Sequence, residues 1–415
     1  MVRPWAIATD AEGMRFCLAL ACTAILAAGE DGVVHELVDR LHNLEAQIAL
    51  MERESALPID RAAVWAGAAR GMIQAVDPWG GYLTADEVGI YGLGVEPLSR
   101  GLGFDWRHSD DGKVLITRVV RGSPAAQHGF HVGMILLAIN DLDPAHASRR
   151  QVAEALARSG ESVRLRVRPL IGEASVIELQ RAELEDDGIA AVRTPVAGIA
   201  MIRIGRFLPS RTNESGPTAA TTTADGLRRA IASIPDVRAI VLDLRGCSGG
   251  NLQAAVECAA SWAPAEAAIV EQVARDPAKS RTWSATAPRL PRVPIIVVVD
   301  GGTASSAEVL AHALRFHLRS PIVGAPTMGK GTVQQLFLLP HGDALRLTVA
   351  RLRAPSDAWL DQPLQPDVLV AQSTETTLKA WINEGKTDGA TVVVEDQQLA
   401  RAIELATALA VREGK

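Results

Sequence analysis

Pro294-Ile295-Ile296-Val297-Val298-Val299 constrains the fold more than any other stretch of this chain. The run is continuous, apolar and β-branched, which suits a strand covered on both faces. Asp300-Gly301-Gly302 ends it. Ala307 to Leu318 then has helical spacing, with Leu310, Ala313, Leu314 and His317 on one face. Pro321 to Gly324 reads as the next strand, and Thr332 to Leu339 as another beyond a Pro326 to Gly329 turn. Upstream, Ile199 to Phe207 and Val237 to Leu244 read as strands and Leu252 to Trp262 as a helix. Strands alternating with helices predict an α/β core. Asn213 to Thr223 is rich in Ser and Thr and reads as loop.

This layout puts Ser305 where a strand turns into a helix. Free backbone N–H groups there favour developing negative charge. A serine hydroxyl is a poor nucleophile until a base takes its proton. Lys330, in Gly329-Lys330-Gly331, can be that base only as a neutral amine. Lowering its pKa from about 10.4 to about 7–8 takes about 4 kcal/mol of destabilisation of the cation, which burial can supply. Met328, Val333, Leu336 and Phe337 flank the lysine and are the expected apolar wall. Lys330 and Gln334 are evenly spaced, so on an extended chain they share a face. Gln334 is then expected to hold the amine by an uncharged hydrogen bond.

Blander readings compete. Ser305 reads equally as an N-cap, and Lys330 as a solvated charge. His312 and His317 read as packing or surface residues. Gly324 to Lys330 has phosphate-loop spacing, but Gly331 stands where Ser or Thr should bind magnesium, and Pro326 lacks an N–H donor. Gly246-Cys247-Ser248-Gly249-Gly250 is like the serine motif of chymotrypsin-like proteases. That chemistry needs a histidine and an aspartate on a β-barrel, whereas His35 and His42 lie in an N-terminal helical stretch.

Thr303-Ala304-Ser305-Ser306-Ala307-Glu308 and Gly329-Lys330-Gly331-Thr332-Val333-Gln334 together resemble the carboxyl-terminal processing peptidases, or tail-specific proteases. Ser306 and Ala307 swap the family's usual order and leave the nucleophile position in place. The resemblance implies a crotonase-like α/β peptidase core, with Ser305 as nucleophile, Lys330 as base and Gln334 positioning it. Asp243-Leu244-Arg245-Gly246-Cys247-Ser248-Gly249-Gly250 is similar to the family loop whose backbone helps form the oxyanion hole. The expected donors are the N–H groups of Gly249 and Ser306. Cys247 stands where the family usually has Asn.

The middle of the chain resembles a PDZ domain. Gly101-Leu102-Gly103-Phe104 matches the loop whose N–H groups capture a peptide's terminal carboxylate, and a similar tripeptide stands at Gly92 to Gly94. Lys113 to Val120 and Val132 to Asn140 are strand-like, Gly122-Ser123-Pro124-Ala125-Ala126 lies between them, Gln151 to Arg158 is a short helix and Val163 to Arg168 a strand. The peptide would add as a strand, with an apolar pocket for its last side chain. Asp77-Pro78-Trp79-Gly80-Gly81-Tyr82-Leu83-Thr84 looks like the family's connector ahead of this domain. Val33 to Met51 and Arg61 to Ala75 have helical spacing and read as packing helices.

The expected architecture is multidomain α/β. A signal peptide (1–29), an N-terminal helical segment (30–92), a PDZ domain (93–185) and the peptidase core with a C-terminal helix (186–415) follow in order. The chain's 415 residues accommodate this, and 42 basic against 48 acidic side chains, net charge −6, give no reason to expect nucleic acid. The longest apolar run, Phe16 to Ala28, is short for a membrane span and suits a signal-peptide core, with Arg15 before it and Ala27-Ala28-Gly29 as a cleavage site. Met14 offers a second start, and a buried helix is the competing reading. Cys22 matches lipid-anchor sites poorly. Cys247 and Cys258 are not expected to pair, and no Cys/His cluster has metal spacing.

The family resemblance implies a serine endopeptidase, and the apolar N-terminal run implies that it is exported, periplasmic or extracytoplasmic. It would need no cofactor or metal and would act on proteins or peptides with apolar C-termini. Homo-oligomerisation is left open. The rivals are a PDZ-bearing scaffold with an inactive core and a cytoplasmic crotonase-like hydrolase.

Overall fold

The computed structural model describes residues 31–88, 100–109, 112–158, 160–170, 172–209, 222–286, 290, 292–383 and 395–413. Residues 1–29, read above as a signal peptide, and the Gly92 to Gly94 tripeptide lie outside these residues. The chain divides into two units, Met1–Val76 and Asp77–Lys415. In the first, α1 (Asp31–Glu54) and α2 (Arg61–Gln74) form where helical spacing was read. The Asp60 carboxylate caps α2 by accepting from Ala62 and Ala63 N–H.

In the second unit a short strand, β1 (Gly81–Leu83), precedes the PDZ segment. That segment comprises β2 (Arg100–Gly101), β3 (Phe104–His108), β4 (Val114–Val119), α3 (Pro124–Gln127), β5 (Ile135–Ile139), α4 (Arg149–Arg158), β6 (Ser162–Arg168), β7 (Ser175–Gln180) and β8 (Ala182–Glu183). Strands β3 to β7 form an antiparallel sheet in sequence order, and β2 pairs with β8. On β6, Val163, Leu165 and Val167 are buried and the arginines between them exposed, as expected of a sheet with one wet face. Gly103 (φ +87°) lets the backbone of residues 101–104 touch the Ser-Pro-Ala-Ala stretch. A Cβ there would sit 2.1 Å from Ser123 Cβ, and the Ser123 hydroxyl donates to the Gly103 carbonyl at 3.2 Å.

The core follows as β9 (Ile189–Val196), β10 (Ile199–Ile204), α5 (Thr223–Ala232), β11 (Ala239–Asp243), α6 (Leu252–Ala260), β12 (Ala268–Ala274), β13 (Arg281–Ser284), β14 (Ile295–Val299), α7 (Ser306–Leu318), β15 (Ile322–Gly324), β16 (Thr332–Leu338), β17 (Ala344–Arg353), β18 (Val368–Leu369), α8 (Thr374–Asn383) and α9 (Gln397–Glu413). One correction falls at the Ser/Thr-rich stretch. Thr222 is an N-cap and Thr223 opens α5, because Thr222 and Asp225 form a capping box.

The main sheet has the order β18-β15-β14-β11-β10-β9, parallel except for β9. Its central strands are largely apolar because both faces are covered. Ile202, Leu242, Val297 and Ile322 pack with α5, α6 and α7, whereas Met201, Val241, Val298 and Val323 pack with α9. In a second sheet, β17 pairs with β1 and β12 on one side and β16 on the other.

Candidate active site

In an open parallel sheet the loops at the carboxyl ends of the strands converge on one crevice. Three such loops meet here, Leu244–Gly250 after β11, Asp300–Ser305 after β14, and Ala325–Lys330 after β15. Asp300 binds the first two together, because its carboxylate accepts Gly246 N–H and Gly302 N–H at 2.9 Å each. Ala304 N–H donates to the Cys247 carbonyl at 3.0 Å, and Met328 N–H to the Thr303 carbonyl at 3.0 Å.

Ser305 is half-buried and sits at the strand-to-helix junction with φ 56° and ψ −119°. A non-glycine residue in that region stores strain of order 1–3 kcal/mol and marks functional turns. Glu308 holds it there. This side chain is fully buried, and its carboxylate accepts Ser305 N–H at 2.8 Å, Gly329 N–H at 2.8 Å, Lys330 N–H at 2.9 Å and the Thr327 hydroxyl. One carboxylate therefore fixes the backbone on both sides of the site, at Ser305 and at Lys330. Glu308 had no assigned role in the sequence reading, though Ser305-Ser306-Ala307-Glu308 carries the S-x-x-E signature that predicts the first of these bonds.

Lys330 is half-buried, and its amine is pushed below the usual lysine value by burial and then by the charge of Arg346. The expected apolar wall differs from the observed one. Met328 is 43% and Phe337 39% exposed, and the Trp79 ring covers the lysine instead, with Nζ 5.2 Å from its centre. Gln334 donates its side-chain N–H to the Trp79 carbonyl. Among the described residues the Lys330 amine makes no hydrogen bond to Gln334 or to Ser305. A register shift between Val333 and Gln334 in the β16–β17 pairing breaks the simple even spacing that put Lys330 and Gln334 on one face. Both nevertheless reach Trp79.

The connector is anchored to carry Trp79. Asp77 accepts Thr348 N–H at 2.6 Å, the Thr348 hydroxyl at 3.0 Å and Trp79 N–H at 3.0 Å. Burial would raise this carboxyl, but those bonds hold it below its usual value. Tyr82 donates its hydroxyl to Asp343 at 2.5 Å. Nothing in local sequence signals that Trp79 meets Lys330.

The Leu244–Gly250 loop rests on a buried ion pair. Arg245 is 1% exposed and bonds Asp243 (2.8 Å) and Asp396 (2.8 Å). Burial alone would raise the Asp243 carboxyl, yet Arg245 and Arg203 hold it at about 2. Gly249 (φ +100°) lies directly against the serine turn, since a Cβ there would fall 2.9 Å from Ser305 Cβ and 3.0 Å from Ser306 N. Ser306 opens α7, so its N–H has no intrahelical acceptor, and its hydroxyl donates to the Gly250 carbonyl at 2.9 Å. The Gly249 N–H faces the Cys247 sulfur, whose thiol burial pushes up to about 12. Cys247 and Cys258 are both free and buried.

In the PDZ segment, Gly101 pairs with Ala182, Leu102 is buried, and Phe104 opens β3, which pairs with β4 alone among the described strands. The Leu102 carbonyl accepts Ala125 N–H at 3.0 Å. Phe104 stacks on Phe130, with ring centres 5.4 Å apart. Ser248, His312 and His317 are not part of the Ser305–Glu308–Lys330 arrangement. No His/Cys/Asp/Glu group among the described residues could hold a metal ion.

Residues 198–370 match peptidase family S41, and residues 94–168 match the PDZ domain. The chain is 28% identical over 339 residues to carboxyl-terminal-processing peptidase 3, chloroplastic, of Arabidopsis thaliana, covering 77% of this chain and 63% of that protein. It is 25% identical over 340 residues to carboxy-terminal processing protease CtpB of Bacillus subtilis, covering 80% and 68%. Identity to the carboxyl-terminal-processing protease of a Picosynechococcus species is 30% over 256 residues, covering 60% and 59%. The chain thus spans 59–68% of the length of these relatives. A solved S41 protease structure from Bacteroides fragilis has the same fold, with TM-score 0.52 and 19% identity, covering 87% of this chain and 96% of that one.

Proposed function

We propose that this chain, whose core belongs to peptidase family S41 and which carries a PDZ domain ahead of that core, is a serine endopeptidase cleaving proteins near their C-termini. The observation that carries the reading is the Glu308 carboxylate, which bonds the backbone of both Ser305 and Lys330. Ser305 is the nucleophile and Lys330 its base. The lysine side chain leaves the Trp79 ring and takes the proton from Ser305 Oγ as that oxygen bonds to the scissile carbonyl carbon. The negative charge passes to the carbonyl oxygen, where the Ser306 N–H and the Gly249–Gly250 backbone stabilise it. Lys330 then gives its proton to the leaving amine. The C–N bond breaks and the amine departs. Lys330, neutral again, takes a proton from water as the water oxygen bonds to the acyl carbon, and returns it to Ser305 Oγ as the acyl C–O bond breaks. Gln334 acts at one remove, by holding the Trp79 carbonyl.

The PDZ segment supplies the choice of substrate. An apolar C-terminus adds along the free edge of β3, its carboxylate held by the Gly101–Phe104 loop. We also assign residues 1–29 as an export signal and the site of action as extracytoplasmic. Mature protein from the native host then begins near Glu30, and a cytoplasmic chain still starting at Met1 rejects export.

The test compares wild type with Ser305→Ala on peptides whose C-termini are apolar or charged, free or amidated. Wild type should cut apolar free-acid tails fastest, and Ser305→Ala should cut none. Equal cleavage of amidated and free-acid tails contradicts carboxylate recognition, and cleavage by Ser305→Ala contradicts the nucleophile.

A further inference from the structure

Arg346 is a half-buried cation with nothing to bind. Its Nε is buried and makes no hydrogen bond, and no carboxylate among the described residues pairs with it. Buried charges are ordinarily paired, because an uncompensated one is costly to keep out of water. Arg346 is half-buried and only its Nε is wholly shielded, so the guanidinium remains open to an anion from outside the chain.

Its position says which partner. On β17, Arg346 lies opposite Leu336 of β16, two residues before Thr348, which lies opposite Gln334. Cross-strand partners and alternate residues share a face. Arg346, Thr348 and Gln334 thus share the face on which the connector lies, since Thr348 bonds Asp77 and Gln334 bonds Trp79. Gly81 pairs with Arg346 across the other edge, and the guanidinium lies over it. A Cβ on Gly81 would stand 3.5 Å from Nη2. Trp79 in turn covers the Lys330 amine. Arg346 thus lies over Gly81 and Lys330 over Trp79, two positions of the same connector.

We propose that Arg346 is a specificity residue that receives a carboxylate of the substrate beside the scissile bond, either an acidic side chain or a free C-terminal carboxylate. This rests on the peptidase reading above for what the substrate is. Guanidinium–carboxylate pairing is bidentate and charge-assisted, so it discriminates strongly against a neutral amide of the same shape. A carboxylate seated there also offsets the like charge that now weighs on Lys330.

The experiment measures binding by isothermal titration to Ser305→Ala protein, with and without Arg346→Gln. Peptides are compared in two kinds of pair, Glu against Gln at residues flanking the cleaved bond and free acid against amide at the tail. What is read is the part of each preference that depends on Arg346, because the PDZ loop holds a tail carboxylate in both proteins. With Arg346 present, one kind of pair should show a preference for the acid about tenfold or more larger than the same pair shows in Arg346→Gln. Which kind it is identifies the source of the carboxylate. Arg346→Lys should keep part of the preference, which separates loss of charge from loss of fold. In the otherwise wild-type enzyme, Arg346→Gln should move the acid limb of the pH–rate profile to higher pH, because a like charge near Lys330 is gone. Acid preferences of the same size in both proteins, for both kinds of pair, overturn the assignment. Acid discrimination without any hydrolysis by the wild-type chain supports Arg346 and rejects the peptidase reading alone.

Discussion

Glu308 is fully buried and accepts from four donors, three of them backbone N–H groups. Replacing it by Gln puts an amide N–H₂ against donors that need an oxygen. Each charge-assisted bond of this kind contributes about 1.5–3 kcal/mol, and an unsatisfied buried donor costs about 1–3 kcal/mol. Glu308→Gln should therefore melt several degrees lower and lose most of its hydrolytic rate, checked by thermal melts and kcat on one tail peptide. A variant with wild-type rate would show that the carboxylate does not hold the two residues in register. At this scale the sequence was informative where chemistry is local. Ser305, Lys330 and the glycines around them stand in short contiguous blocks. Trp79 was missed because its contact with Lys330 is made by a connector far away in the chain, and no period or cap encodes such a meeting. Gln334 was expected to bond the lysine amine, whereas its amide donates to the Trp79 carbonyl.

Among the elements, α7 carries a pH-sensitive residue that the proposed chemistry does not use. His312 has a buried Nε2 without a partner, and burial followed by the charge of Arg315 lowers its pKa from 6.5 to about 4. Between those values the unfolded chain takes up a proton that the folded chain refuses. Stability is therefore full above about pH 6.5 and falls as the pH drops toward 4, by at most about 3 kcal/mol. His312→Gln should flatten this slope in melts taken at intervals between neutral and acid pH, and an unchanged slope would place the titration elsewhere. The strands of the main sheet were legible because burial on both faces writes a continuous apolar run. The second sheet was harder to read. Its β16 mixes half-buried and exposed positions, its register shifts after Val333, and β1 joins it from the other side of the PDZ segment. Such pairings depend on long-range closure rather than on local pattern.

Across the whole molecule, the order of PDZ segment before core was legible from motifs, whose spacing survives where strand ends shift by a residue or two. The Ser/Thr-rich stretch shows the opposite case, since composition suggested loop where a capping box starts α5. The account depends above all on Lys330 acting as a neutral base beside Ser305. Its half-buried setting and lowered amine pKa fit that role, and an arginine cannot fill it because a guanidinium stays charged. The most direct measurement is kcat/KM for Lys330→Ala and Lys330→Arg against wild type on a single tail peptide, with melting curves to show that each variant is folded. The account predicts a loss of about 10²–10⁴-fold or more in both variants, the scale of a positioned general base. Wild-type activity in folded Lys330→Ala would contradict it.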